Sequence, residues 1–354
     1  MARSRTVACE LEELESPDFF PAHINTRAGI LQFVRLTRTT YKQDAFLNII
    51  RPDHEMVEIP LERITGGNAG STITQHLSFI FHGAYGCSTL LARYCELFPQ
   101  CLVMREPAIL AEMAFSRPQG DDMETMETWR ATLRVVLGLL ARRYHDTQHV
   151  IIKASDACNA IAEDIMEIHR TTRSVFIANE LTAFVVSVLK FAERRVMVRG
   201  RIAAFGARLS GMPGLLEVDA NQLTDAEAAA CYWALNAKAC QRLQDLHPSR
   251  MATCLGERFA DDPRGSIPKV VEFFGITREK QLIAEVICDS SVLRYSKNRN
   301  VPFEAERRQE HLAGLRQMFR REAEEALTWI RHFRKVLGAD FIWPIEAQTN
   351  CYMK

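Results

Sequence analysis

Apolar and polar positions change their spacing several times along the chain. Leu77 to Phe81, Cys101 to Met104, His149 to Lys153 and Arg173 to Ala178 are short apolar runs of strand length, fit for burial on both faces. Ser88 to Leu97, Thr125 to Tyr144, Asn159 to His169 and Thr182 to Phe191 carry apolar residues at helical spacing instead. Strands alternating with helices of these lengths predict an α/β fold, with a mostly parallel sheet flanked by helices. Past about residue 201 the pattern becomes helical. Thr224-Asp-Ala-Glu227 is a capping box that opens an apolar run through Trp233 to Leu243, and Glu304 to Val336 reads as one long charged amphipathic helix.

The beginning of the chain is patterned differently. Gly29 to Leu36 is strand-like, and three glycines within Gly66 to Gly70 favour an irregular backbone that closes this part. Residues 1–70 read as an N-terminal extension and 71–354 as the main domain, helix-rich from about 201. Pro107 restricts the residue before it, so Arg105-Glu106-Pro107 marks the end of a strand. In an open parallel sheet such strand ends form the edge where ligands bind.

Composition narrows the class. Of 354 residues, 47% are hydrophobic and 25% charged, with 44 basic side chains against 44 acidic ones. Those values exclude a disordered or collagen-like chain. Zero net charge offers neither a global basic footprint for nucleic acid nor a polybasic stretch for a membrane, so any anion recognition has to be local. The longest apolar runs, Val135 to Ala141 and Phe184 to Leu189, fall far short of the ~20 residues of a transmembrane helix. Met1 to Glu15 lacks the apolar stretch of a signal peptide. Ten cysteines include no Cys-x-x-Cys pair and no grouping at zinc spacing, and most sit in apolar helical patterns as the buried reduced thiols of a cytoplasmic protein do. Asp121-Asp122 and Asp261-Asp262 stand beside Gly120 and Pro263 and read as turn tips rather than metal sites.

Candidate chemistry concentrates in Phe79-Ile-Phe-His-Gly-Ala-Tyr-Gly-Cys-Ser-Thr-Leu-Leu-Ala92. Gly83 and Gly86 let the backbone close around an anion, while a helix opening at Ser88 and Thr89 aims free N–H groups and its positive dipole end at the same place. An ATP-hydrolysing loop needs Gly-x-x-x-x-Gly-Lys-Ser/Thr, and here Cys87 stands where the lysine belongs. A nucleotide or small-molecule kinase is therefore disfavoured. The plainer reading of the two glycines is a tight turn capped by Ser88.

This loop resembles the 5′-phosphosulfate-binding loop of P-loop sulfotransferases, which use 3′-phosphoadenylyl sulfate (PAPS). More particularly, it resembles a bacterial sulfotransferase-like group with a His-x-x-x-Cys-Gly-Ser-Thr-Leu-Leu signature followed by Arg-Glu-Pro. This chain has His82, Gly86-Cys87 in swapped order, Ser88-Thr-Leu-Leu91 and Arg105-Glu106-Pro107. Phe33 to Leu36 with Ala45 to Leu47 resembles the group's opening segment, and Leu293-Arg-Tyr-Ser-Lys297 its C-terminal motif. The resemblance implies a P-loop type α/β fold, PAPS as sulfuryl donor, a small-molecule or glycan acceptor and no metal. It places Gly83, Gly86, Cys87, Ser88 and Thr89 at the 5′-phosphosulfate.

Sulfotransferases hold the donor's 3′-phosphate with an arginine and a serine eight positions apart. Ser187 matches the serine, but Asn179 stands eight positions earlier and brings hydrogen bonds without charge. Arg194, Arg195, Arg199 and Arg201 follow and could supply that charge, although a solvated basic helix end is the plainer reading. Cytosolic members carry Lys-Thr-His at the end of the preceding strand. Lys153-Ala154-Ser155 keeps the lysine that stabilises charge on the sulfuryl group and lacks the histidine base. Glu106, Asp156 and His82 are candidates for that base, Glu106 first. Each has a structural alternative: Glu106 paired with Arg105, Asp156 capping the helix near Asn159, His82 bonded to the loop backbone. Trp329, Phe333 and Trp343 could line an acceptor pocket, yet their helical spacing reads as core.

Two functions compete. The first is a PAPS-dependent sulfotransferase that moves a sulfuryl group in line onto a hydroxyl or amine. The second is a catalytically impaired protein of the same fold that binds a nucleotide or anionic ligand, which the departures at Cys87, Asn179 and Ser155 favour.

Overall fold

In a computed structural model of the chain, the described residues are 11–43, 46–47, 55–65, 77–120, 122–211, 218–289, 294–295, 298–302 and 305–337. Gly66 to Gly70, Ala45, Asp121, Leu293, Ser296, Lys297, Trp343, Cys9 and Cys351 lie outside them.

After a 3-10 turn, Leu11–Glu15, the described chain forms three antiparallel strands, β1 (Phe19–Asn25), β2 (Ile30–Arg35) and β3 (Met56–Pro60), with the short helices α1 (Arg38–Gln43) and α2 (Leu61–Thr65). An alternation then follows: β4 (Leu77–His82), α3 (Ser88–Glu96), β5 (Cys101–Arg105), α4 (Ala108–Phe115), α5 (Met123–Leu140), β6 (His149–Lys153), α6 (Ala162–Ile168), β7 (Arg173–Ala178) and α7 (Leu181–Leu189). Next come α8 (Ala192–Ser210), α9 (Asp225–Leu246), β8 (Met251–Leu255), α10 (Gly256–Asp261), α11 (Pro263–Phe274) and α12 (Lys280–Cys288). The described chain ends on the ribbon β9 (Arg294–Tyr295) and β10 (Asn298–Pro302), then α13 (Ala305–Met318) and α14 (Arg320–Leu337).

Strands β4 to β8 form one parallel sheet in the order β5-β6-β4-β7-β8. Every residue of the central β4 is buried, which its unbroken apolar run anticipates. From a central strand of this kind the chain proceeds to both sides, and open α/β sheets bind ligands at the C-terminal end of such strands.

Three features differ from the sequence-based expectation. β8 falls in a stretch expected to be helical, because Met251-Ala-Thr-Cys-Leu255 holds one β-branched residue and no periodicity that distinguishes it from the helices around it. The long C-terminal helix is two, interrupted at Phe319, although the bonds Phe319 N to Leu315 O and Ala323 N to Phe319 O bridge the gap at 2.9 Å each. The stretch expected as a helix from Asn159 begins as a 3-10 turn, Asp156–Ile161, before α6. The capping box of α9 is as read: Thr224 Oγ1 accepts from Glu227 N at 3.2 Å, and Glu227 Oε2 accepts from Thr224 N at 2.8 Å.

The described residues pack as two compact units. One takes those up to Ile80, Ala92–Ser174 and Phe274–Ile276; the other takes Phe81–Leu91, Val175–Phe273 and those from Thr277 on. In the first, the N-terminal strands are tied to the elements that follow. Glu112 on α4 receives His23 Nδ1 and, at 2.7 Å, the amide of Ile24, while Tyr41 donates its hydroxyl to Pro17 O at 2.6 Å. Arg142, just past α5, donates to the carbonyls of Leu14, Phe19 and Leu139. Burial draws the Arg142 pKa down to about 10, so it remains charged at neutral pH. We expect Arg142→Met to lower the unfolding free energy by about 2–4 kcal/mol, because three carbonyls lose a charged donor. Urea unfolding checks this, and a change below about 1 kcal/mol would mean that water replaces the guanidinium.

In the second unit α9 is the organising helix, with α7, α8 and α14 packed along it. Fourteen residues of α9 are buried, too many for one face, which suits a helix covered on several sides. Among the described residues no helix is long and apolar enough to cross a membrane. Cys95, Cys101, Cys158, Cys231, Cys240 and Cys254 are buried, and burial pushes the thiols of Cys95, Cys231 and Cys240 up to about 12.

Candidate functional site

The loop after β4 is held from below by three bonds. Gly83 donates its amide to Ile177 O at 3.2 Å, Ala84 donates its amide to His82 Nδ1 at 2.9 Å, and Asn179 Nδ2 donates to Ala84 O at 2.6 Å. Asn179 is itself fixed, because Trp233 Nε1 donates to its carbonyl at 2.9 Å. The bond to Ala84 makes His82 Nδ1 an acceptor, the loop-shaping arrangement, and leaves the ring proton of the neutral form on Nε2.

Left-handed backbone occurs where no glycine stands. Ala84, Tyr85 and Cys87 have φ of 66°, 56° and 63°, whereas Gly83 and Gly86 do not occupy that region. Each such residue costs about 1–3 kcal/mol, and the surrounding bonds must hold it. Left-handed residues placed in this way turn successive N–H groups toward one side of the chain, the backbone form of anion nests. Gly86 is needed for space instead. A Cβ there would come within 1.9 Å of Asn179 Oδ1, and one on Gly256 within 2.1 Å of Gly86 O. A Cβ on Gly83 would meet only Asn236 Cβ, at an ordinary 3.8 Å.

Past the loop, Leu90 and Leu91 donate to Cys87 O at 3.0 and 3.2 Å, which starts α3. The amides of Gly86, Ser88 and Thr89 make no hydrogen bond to protein among the described residues, and neither does the hydroxyl of Ser88, a residue that is 4% exposed overall. Open amides at a helix start and an unpartnered hydroxyl together suit the terminal oxygens of a phosphate or sulfate. Of the residues expected at the phosphosulfate, Gly86, Ser88 and Thr89 keep open amides, whereas Gly83 gives its amide to Ile177 O.

The four arginines after Ser187 separate in the structure. Arg195 and Arg199 pair with Asp225 at 3.3 and 2.8 Å, and Arg199 also donates to Leu223 O at 2.8 Å. Arg201 lies over the Phe205 ring at 5.8 Å. Arg194 alone of the four reaches Ser187, whose carbonyl accepts from its Nη1 at 2.6 Å, and it stacks over Tyr85 of the loop.

The other cluster belongs to the first unit. Lys153 ends β6, in register with Ile80 of β4 on one side and Arg105 of β5 on the other. Its ammonium is buried and pairs with Glu106, and Phe46 lies beneath it at 5.6 Å. Glu106 donates its amide to Lys153 O at 2.7 Å and has a left-handed φ of 53°, uncommon for a side chain of this kind. Arg105 is 1% exposed. It binds Tyr41 O and Lys42 O at 2.8 and 3.0 Å and pairs with Glu96 at 3.2 Å. Ser155 lies 3.5 Å from the Cys158 sulfur, and Asp156 is buried at the start of the 3-10 turn.

The remaining candidates have other roles. Asp122 caps α5 and Asp262 accepts from Gly265 N at 2.9 Å. Phe333 is buried and stacks on Trp329 at 4.3 Å, and Trp329 also lines an open hollow of about 410 Å³ with Glu227, Glu324, Glu325, Thr328 and His332. Among the described residues no three His, Cys, Asp or Glu side chains are grouped to hold a metal ion. Sequence reasoning missed Gly256, Trp233 and Tyr85. Gly256 follows the unrecognised β8, and Trp233 sits in an apolar helix pattern where one buried N–H donor leaves no signal.

No protein-family model and no curated protein matches the chain in sequence. Among solved structures the fold is similar to a sulfotransferase domain from the curacin biosynthetic pathway, at 12% identity over 63% of this chain and 79% of that one, with a TM-score of 0.35. It is also similar to the sulfotransferase STF9 from Mycobacterium avium, at 9% identity over 73% of this chain and 79% of that one, with a TM-score of 0.40.

Proposed function

We propose that this chain is a PAPS-dependent sulfotransferase acting on a hydroxyl or amine of a small-molecule or glycan acceptor. The observation that carries the reading is the loop after β4: a fixed left-handed backbone leading into α3, whose first amides and Ser88 hydroxyl have no protein partner among the described residues. When bound, the donor supplies a sulfuryl group, with the S–O bond to its 5′-phosphate breaking as a new bond to the acceptor forms. Gly86, Ser88 and Thr89 give their amides to the phosphosulfate oxygens. Glu106 takes the acceptor proton, and in doing so loses the charge that pairs it with Lys153. The Lys153 ammonium is then uncompensated as negative charge develops in the transition state. Base and charge stabiliser are thereby coupled.

One observation favours the second reading, an anion-binding protein without transfer activity. Asn179 gives its amide to Ala84 O, a bond that fixes the loop. Calorimetric titration with adenosine 3′,5′-bisphosphate, ADP and magnesium ATP tests the anion site common to both. Micromolar affinity for the bisphosphate alone is expected, and preference for magnesium ATP would overturn the proposal. Sulfate transfer from PAPS to a panel of phenols, amines and glycans then separates the two readings.

A further inference from the structure

The segment before β3 reaches the Lys153–Glu106 pair. Arg105, the last residue of β5, gives Nη2 to Tyr41 O at 2.8 Å and to Lys42 O at 3.0 Å, and its own carbonyl accepts from Leu47 N at 2.7 Å. Residues on both sides of Phe46 are therefore bound to one buried arginine. Tyr41 and Leu47 are buried as well, whereas Phe46 between them keeps part of its surface exposed. Its ring centre lies 5.6 Å from Lys153 Nζ, and that ammonium pairs with Glu106. All of these residues belong to the first unit. The N-terminal extension thus supplies an aromatic wall to the candidate catalytic cluster.

That wall favours one kind of acceptor. Covering the exposed part of Phe46 with a flat apolar group removes that surface from water, and aromatic pairs with ring centres roughly 4.5–7 Å apart gain further. An acceptor hydroxyl bonded to Glu106 stands close enough to Phe46 for its own ring to do so. A sugar in the same place would turn neighbouring hydroxyls against the ring, where they lose water and find no strong partner.

The chemistry of Glu106 points the same way. A carboxylate is a weak base, so it assists most where the hydroxyl is already acidic: a phenol titrates near about 10 and a sugar hydroxyl far higher. An amine acceptor fares worse, because in its ammonium form it sets a second positive charge beside Lys153. We infer that Phe46 is the acceptor-selecting residue, and that the acceptor is a hydroxyl carried directly on an aromatic ring. The inference rests on the sulfotransferase reading and narrows its acceptor.

The test uses 2-naphthol as probe, titrated by calorimetry into protein saturated with adenosine 3′,5′-bisphosphate, with methyl β-glucoside as the polar comparison. The unaltered protein is expected to bind 2-naphthol about tenfold tighter than the glucoside or more. Phe46→Ala should remove about that tenfold and leave bisphosphate affinity within about threefold, because the loop amides, not Phe46, hold the bisphosphate. Unchanged affinity for 2-naphthol in that variant overturns the inference, as does glucoside bound as tightly as 2-naphthol by the unaltered protein. Should the alanine variant not fold, Phe46→Leu carries the same test, since it keeps apolar bulk without a ring face. A loss of about threefold or more for 2-naphthol is then expected, and no loss overturns the selecting role. If the bisphosphate itself does not bind, the sulfotransferase reading fails; if it binds and 2-naphthol does not, only the aromatic acceptor is lost.

Discussion

Lys153→Met is expected to lower kcat for sulfate transfer at least about a thousandfold while affinity for adenosine 3′,5′-bisphosphate stays within about tenfold. The asymmetry follows from the resting ion pair. While Glu106 is ionised, it balances most of the Lys153 charge; once it takes a proton, the ammonium acts on the transition state alone. A thousandfold loss is about 4 kcal/mol of barrier, within the range of single electrostatic groups in water-poor sites. Methionine keeps an apolar stem against Phe46, so the packing there changes little. It does leave Glu106 without its cation. With that carboxylate 19% exposed, we expect a stability loss of about 1–3 kcal/mol rather than the full penalty for a buried lone charge. Lys153→Met with Glu106→Gln should recover the stability and not the transfer. Unchanged transfer in the single variant would show that Lys153 is not the charge stabiliser.

The second large effect concerns a position far from the loop in sequence. Gly256→Ala places a Cβ 2.1 Å from Gly86 O and 2.8 Å from Gly86 C, both backbone atoms. The loop cannot easily retreat, because His82 and Asn179 hold Ala84 from opposite chemical sides, one accepting its N–H and the other donating to its carbonyl. Overpacking against fixed backbone costs about 1–3 kcal/mol, and displacing the amides of Gly86 and Ser88 should weaken bisphosphate binding about a hundredfold. Gly83→Ala is the contrast. Its Cβ meets Asn236 Cβ at 3.8 Å and its backbone is not left-handed, so stability should move by less than about 1 kcal/mol and binding hardly at all. Urea unfolding and calorimetry on the two variants decide it: equal effects would mean that the loop is not wedged as described.

Much of the sheet was legible beforehand. β4, β5, β6 and β7 are apolar runs bounded by polar turns, and burial on both faces requires such runs. β8 was not, since its sequence would serve equally in a helix and pairing in the sheet decides between them. Lys153 and Glu106 were each identifiable as chemistry-bearing residues at strand ends. Their partnership was not, because they stand 47 residues apart and meet through the register of β5 against β6. The arginines after Ser187 looked alike as a charged run, and only their partners separate Arg194 from Arg195 and Arg199.

Periodicity, capping and the glycine-containing turn involve residues within a few positions of one another, so the order of amino acids already contains the alternating fold, the cap of α9 and the position of the loop after β4. The conformation of that loop has another origin. Ala84, Tyr85 and Cys87 pay a steric penalty in left-handed backbone that their own side chains give them no reason to accept. Long-range contacts impose it: the Asn179 amide reaches Ala84 across 95 positions, and the Gly256 backbone closes on Gly86. Which amides stay open to a ligand is therefore a property of the packed chain, because it depends on groups that become neighbours only on folding.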